Sequence, residues 1–111
     1  MKQSIILNLP NELLETSKSL KQIGISNLAW NWENVIKVIL FLKKSNYLIL
    51  GGDVYKNTND KLESTFDSWY YNTCTKDLVT ESCNKAINYI NEYHNKNGNG
   101  FYYSLVIKKI V

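Results

Sequence analysis

At 111 residues, 44% hydrophobic and 21% charged, the chain supports one domain whose core removes roughly two-thirds of the unfolded surface from water, and is too short for two. The hydrophobic share is the ordinary globular one, and the longest apolar run, Val38 to Leu42, is far below a membrane span, so the composition excludes disorder and spanning alike. The formal charge of +3 rests on thirteen lysines with no arginine, so the planar fork that reads base edges and phosphates is missing and nucleic acid is not an expected partner.

Residues 2–9 mix polar and apolar side chains, as an extended segment would. The run Ile5-Ile6-Leu7 stops at Asn8 and Pro10, too soon for a leader peptide, so the cytoplasm is the expected compartment. A first helix is expected over 11–22: Pro10 and Asn11 suit a helix start, Glu12 and Glu15 lie early, Lys18 and Lys21 lie late, and Gly24 closes it. Residues 25–30 form a connector without a clear preference. Asn31 then reads as the N-cap of the clearest helix, because Trp32, Val35, Ile36, Ile39 and Leu40 recur at helical spacing and Ser45-Asn46 ends the pattern.

Tyr47 to Leu50 reads as a buried strand, and Gly51-Gly52 directly after it as a bulge or sharp bend that a Cβ would obstruct. Residues 56–64 read as a polar linker, the longest irregular segment, leading to a strand with the aromatics Phe66, Trp69, Tyr70 and Tyr71 around Asp67. A polar stretch, 72–77, precedes a third helix that starts between Asp77 and Thr80. Its buried face is Val79, Cys83, Ala86, Ile87 and Ile90, with Tyr93 at the edge. A turn rich in Asn and Gly, 95–100, delivers the last strand, 101–111, expected near a sheet edge because Lys108 and Lys109 interrupt it. The order α, α, β, β, α, β predicts a single α+β domain over 1–111, a mostly antiparallel sheet of about three to four strands carrying about three helices.

Catalytic chemistry finds little support. His94 is the only histidine, and Cys74, Cys83 and His94 lack zinc spacing, so no metal, cofactor or enzymatic activity is expected. Gly51-Gly52-Asp53 is followed by Val54-Tyr55, a strand and not the helix that a phosphate loop requires. Asp53 either bonds to local backbone or stands on an exposed recognition surface. Alternation along the aromatic strand sends Trp69 to the core and leaves Tyr70 or Tyr71 on the other face.

The strings Ile49-Leu50-Gly51-Gly52-Asp53-Val54-Tyr55 and Phe66-Asp67-Ser68-Trp69-Tyr70, followed by Ala86-Ile87-Asn88-Tyr89-Ile90, resemble a bacterial immunity protein family, immunity protein 40. The resemblance runs from about Leu28 to Ile107, with Phe66 where a tyrosine is expected. It implies an α+β antidote, without catalysis, that binds a polymorphic toxin encoded nearby; neither nucleic acid nor membrane is an expected partner, and a homodimer stays open. Under this resemblance Asp53 and Asp67 are the candidate toxin-binding carboxylates and Tyr55, Tyr70 and Tyr71 the aromatic anchors. Gly51, Gly52 and Trp69 form the structural part of the motif. The alternative is an adaptor that accepts an extended peptide at the edge of the final strand.

Overall fold

A computed structural model describes residues 9–71 and 78–110; the expectations for residues 2–8, the stretch 72–77 with Cys74, and residue 111 lie outside them. The elements are α1 (Asn11–Glu15), β1 (Lys18–Ser19), a 3-10 turn (Lys21–Ile23), β2 (Leu28–Asn31), α2 (Trp32–Lys44), β3 (Tyr47–Thr58), β4 (Lys61–Tyr70), α3 (Leu78–Asn97) and β5 (Phe101–Lys109). The five strands make one antiparallel sheet in the order β1-β2-β5-β3-β4. The α+β expectation holds, with one strand more than the sequence suggested.

The extra strand comes from the N-terminal third. The first helix ends at Glu15 because the hydroxyls of Thr16 and Ser17 donate back to the Leu13 and Leu14 carbonyls, at 2.9 and 2.6 Å. Such local bonds compete with helix propagation. The chain turns into β1, and the connector supplies β2, whose Trp30 is buried and donates its indole N–H to the Leu13 carbonyl at 2.8 Å. In α2 the Asn31 side chain accepts from the Asn34 N–H at 3.0 Å, as a helix cap should. Val35, Val38, Ile39 and Leu42 form its buried stripe, while Leu40 falls outside it.

Two further expectations are corrected. Residues 56–64 are not a linker but a hairpin: Lys56, Asn57 and Thr58 pair with Glu63, Leu62 and Lys61. Asn59 and Asp60 turn the chain at φ values of 51° and 64°, the two consecutive left-handed residues of a tight hairpin turn. Nor does the last strand lie at an edge, since β5 sits between β2 and β3 and its Tyr102, Tyr103 and Ser104 are paired on both sides. Its lysines fall beyond the reach of β2, which is how a strand inside the sheet accommodates a charged tail.

The main core lies between the sheet and α2 and α3, with Ile49, Val54, Trp69, Tyr103 and Leu105 facing Val35, Ile39, Ala86 and Ile90. A smaller cluster of Leu20, Ala29, Tyr55 and Leu62 forms apart from it. Where β3 runs past the end of β4, the Ile49 N–H is taken by the buried Ser82 hydroxyl of α3 at 3.0 Å, so the irregular backbone between Ile49 and Gly51 is satisfied by a helix side chain.

Gly52 explains the glycine pair. A Cβ there would lie 2.4 Å from the Trp69 ring and 2.1 Å from the Ser104 carbonyl oxygen, and one on Gly51 would lie 2.3 Å from the Trp69 carbonyl oxygen. The bare backbone is therefore the floor on which the Trp69 indole rests. Gly52→Ala is expected to destabilise by roughly 3 kcal/mol, as overpacking against rigid backbone does, read as a lower urea midpoint at unchanged slope.

Candidate functional site

Strand alternation around Trp69 divides the sequence-derived site residues between two faces. Trp69 points under α3, stacked on Tyr89 with ring centroids 4.9 Å apart. Asp67 and Tyr71, two residues to either side, reach the same helix: the Tyr93 hydroxyl donates to Asp67 Oδ2 at 2.7 Å, and the Tyr71 hydroxyl bonds to Glu81. Asp53 and Tyr70 belong to the opposite face. Asp53 is exposed between Ser68 and Ser104, and Tyr70, 69% exposed, lies across from Gly51, which has Val106 on its other side. Tyr55 shares the face of Asp53, two residues along β3, but it is 3% exposed and packed with Leu20 and Leu62, so its ring is not available as a surface anchor.

The residue that the sequence reading missed is Phe66. Asp53 pairs with Ser68 and Tyr55 with Ser64, so the single residue Val54 faces the three residues Thr65, Phe66 and Asp67, and β4 bulges outward. Hydroxyls hold the bulge: Thr65 Oγ1 donates to the Val54 carbonyl at 2.9 Å and accepts from the Asp67 N–H at 3.1 Å, and Ser64 Oγ accepts from the Phe66 N–H at 3.0 Å. Phe66 is left at φ 68° and 92% exposed. A left-handed backbone costs an L-residue about 1–2 kcal/mol, and this ring gains no burial within the fold. The sequence signal was the Ser64-Thr65 pair, whose hydroxyls favour such local turns.

Behind the bulge, α3 supplies an aromatic wall. Tyr89 and Tyr93 are four residues apart and so share a helix face, with centroids separated by 6.0 Å, and Tyr93 meets Phe101 and Tyr103 edge-on at 5.4 and 6.1 Å. Burial, and next the hydrogen bond to Asp67, push the Tyr93 phenol up; burial followed by the Asp67 charge does the same to Tyr89. Tyr103 is fully buried with an unpartnered hydroxyl, and burial, then Tyr93 and Tyr89, push its phenol up to about 12.

Charge is unevenly spread. The lysine pairs Lys43-Lys44 and Lys108-Lys109, distant in sequence, converge beside the turn after α2: Lys109 donates to the Ser45 carbonyl at 3.1 Å and sits 4.7 Å from the Tyr47 ring centroid. From Tyr47 to Val54 is roughly 20 Å of strand, so this lysine cluster lies away from the bulge, which carries Asp67 on β4, while Glu63 is paired across the hairpin with Lys56.

His94 has a packing role. Its ring stacks flat on Trp32, with centroids 3.9 Å apart and 6° between planes, and Trp32 donates its indole N–H to Asn91 at 2.8 Å. The histidine thus docks the end of α3 on the start of α2. Cys83 is a free, buried thiol, pushed up chiefly by burial. Among the described residues no group of three or more His, Cys, Asp or Glu is placed to hold a metal ion, and no helix is long and apolar enough to cross a membrane.

Comparison with known proteins gives one match. The family described as Immunity protein 40 matches residues 19–107. Neither the curated proteins nor the solved structures yield a match.

Two outcomes follow from this geometry. Replacing Phe66 by Asn, which tolerates the left-handed region, is expected to raise thermal stability by about 1 kcal/mol. The Tyr103 phenol loses its proton less readily in the folded state, so its contribution to stability is complete below about pH 10 and is lost as pH rises through about 12. Urea titrations should therefore show a decline over that range that is shallower in Tyr103→Phe, by on the order of 2 kcal/mol.

Proposed function

Because the chain belongs to the immunity protein 40 family, we propose that it neutralises its cognate toxin by direct binding in the cytoplasm, using the bulged edge of β4. The family assignment itself makes the chain an immunity protein of a polymorphic toxin system, with a toxin as its implied partner. Direct binding by this edge is our reading.

The observation that carries it is Phe66. An isolated exposed apolar residue is ordinary, but this one is held in a disfavoured backbone conformation by two hydroxyl side chains and returns nothing to the fold. Strain of this kind gathers at binding sites, where contacts outside the chain offset it. Burying a phenylalanine against a partner stabilises by about 1.5–3 kcal/mol, enough to reverse the cost. Tyr70 supplies a second exposed aromatic four residues along the strand, and Asp53 and Asp67 supply rim carboxylates that steer encounter. Tyr71 and Trp69 support this surface from behind, through Glu81 and Gly52.

Peptide addition at a sheet edge fits less well. β4 is broken by the bulge, β1 is two residues long, and β5 is closed on both sides at residues 102–104. Bulges and charges on edge strands are the usual devices against strand addition.

The test is co-expression with the toxin encoded next to this chain, scoring survival and co-purification. Wild type should rescue and form a stable complex. Phe66→Asn and Tyr70→Ala, both folded, should each weaken binding by about thirtyfold, as loss of a central anchor does. Full protection by the folded double variant would falsify the assignment of this edge.

A further inference from the structure

We infer that the toxin's docking surface is basic: a lysine or arginine side chain of the toxin enters the cleft beside Phe66, against the Asp67 and Glu92 carboxylates and the faces of Tyr89 and Tyr93. This rests on the toxin-binding reading of the β4 edge and specifies the chemistry of the partner. The cleft is an open one of about 310 Å³, lined by Asp67, Tyr89, Glu92, Tyr93, Lys96 and Asn97. That is at the lower end for a free small ligand, and it suits a single side chain delivered by a docked protein.

Each wall selects for a cation. Two carboxylates face one ammonium, so the cleft carries one uncompensated negative charge, although the chain as a whole is +3. Lys96 lies in the last turn of α3, where the helix's own C-terminal dipole attracts it. Tyr93 donates a single hydrogen bond to Asp67, at Oδ2, and a carboxylate has about four lone-pair directions, so an ammonium or guanidinium can still be accepted. The negative faces of the two tyrosine rings add attraction for a cation within about 6 Å. Burial first, and Asp67 next, push the Tyr89 and Tyr93 phenols up, in keeping with a carboxylate that lines the same cleft as both rings.

Continuity with the aromatic edge fixes the occupant as part of the docked protein. Asp67 follows Phe66 directly in the bulge and is fixed through its N–H by Thr65, so a partner that seats the Phe66 ring brings the neighbouring part of its surface to this cleft. A socket for Phe66 rimmed by Lys or Arg is the complementary shape and charge. The lysine cluster beside the start of β3 is distant from this cleft, and Lys56 and Lys61 lie in the hairpin beyond the bulge, with Lys56 paired to Glu63.

The test uses the full chain with its cognate toxin and measures Kd at low and high salt. Asp67→Asn keeps an oxygen to accept from Tyr93, and Glu92→Gln is solvent-facing, so both should melt as wild type does. Each is expected to weaken binding about tenfold and to flatten its salt dependence. Lys96→Gln removes a competing cation and should tighten binding severalfold, a direction that a purely structural role for these residues does not give. Wild-type affinity and salt dependence in the folded Asp67→Asn/Glu92→Gln double variant, with Phe66→Asn still deficient, would overturn the inference while leaving the toxin-binding reading in place. If the folded wild-type chain does not bind the toxin at all, both fall together.

Discussion

The Trp69 indole lying on the bare backbone of Gly52 is the contact on which the rest of the domain depends. With Ser104 and the ring both closer to that position than any Cβ allows, only glycine brings β3 and β4 together with a tryptophan between them and the helix. The ring then sets the position of α3 through its stack on Tyr89, and Tyr89 aligns Tyr93 one turn later. Once Trp69 faces inward, alternation directs Asp67 and Tyr71 to α3 as well, where each forms a hydrogen bond, and leaves Tyr70 outside. A single packing requirement thus orients both sides of the strand.

The same arrangement stores its costs close by. The buried Trp69 and Tyr103 polar atoms have no partner among the described residues, and each such group costs about 1–3 kcal/mol. A few paces along the strand, the bulge holds Phe66 in a left-handed conformation. Ser82, Thr65 and Ser64 offset part of this by satisfying backbone groups that the two register shifts strand. Irregularity in the sheet is therefore supported by short hydroxyl side chains, and the strain concentrates at the edge assigned to binding.

Electrostatics separates the ends of the molecule. The four C-terminal lysines of α2 and β5 gather where α2's dipole and the Ser45 carbonyl favour positive charge, while the carboxylates follow β4 and the adjoining face of α3. A net charge of +3 hides a local acidic excess at the Asp67 and Glu92 cleft, and encounter with a partner is governed by the local field and not by the sum.

What the sequence determined by itself was whatever depends on short-range pattern. The helical spacing from Trp32 to Leu42, the Asn31 cap, the buried face of α3, the glycine bulge and the inward Trp69 were all legible, because each is fixed by periodicity or by a residue with only one conformational use. The Gly-Gly-Asp-Val-Tyr and Asp-x-Trp-Tyr strings carried the family as well. Tertiary structure decided the remainder. The polar residues 56–64 became a hairpin because strand pairing, which is non-local, supplied their hydrogen bonds; Thr16 and Ser17 ended a helix that the lysine positions alone would have extended. Tyr55 was buried by Leu20, thirty-five residues away, and β5 was placed inside the sheet by β2, a segment with no clear preference of its own. Phe66 became the exposed residue of the bulge only when two β3 pairings fixed how many β4 residues had to fit opposite Val54. Register is a property of two strands together, and one strand's sequence does not contain it.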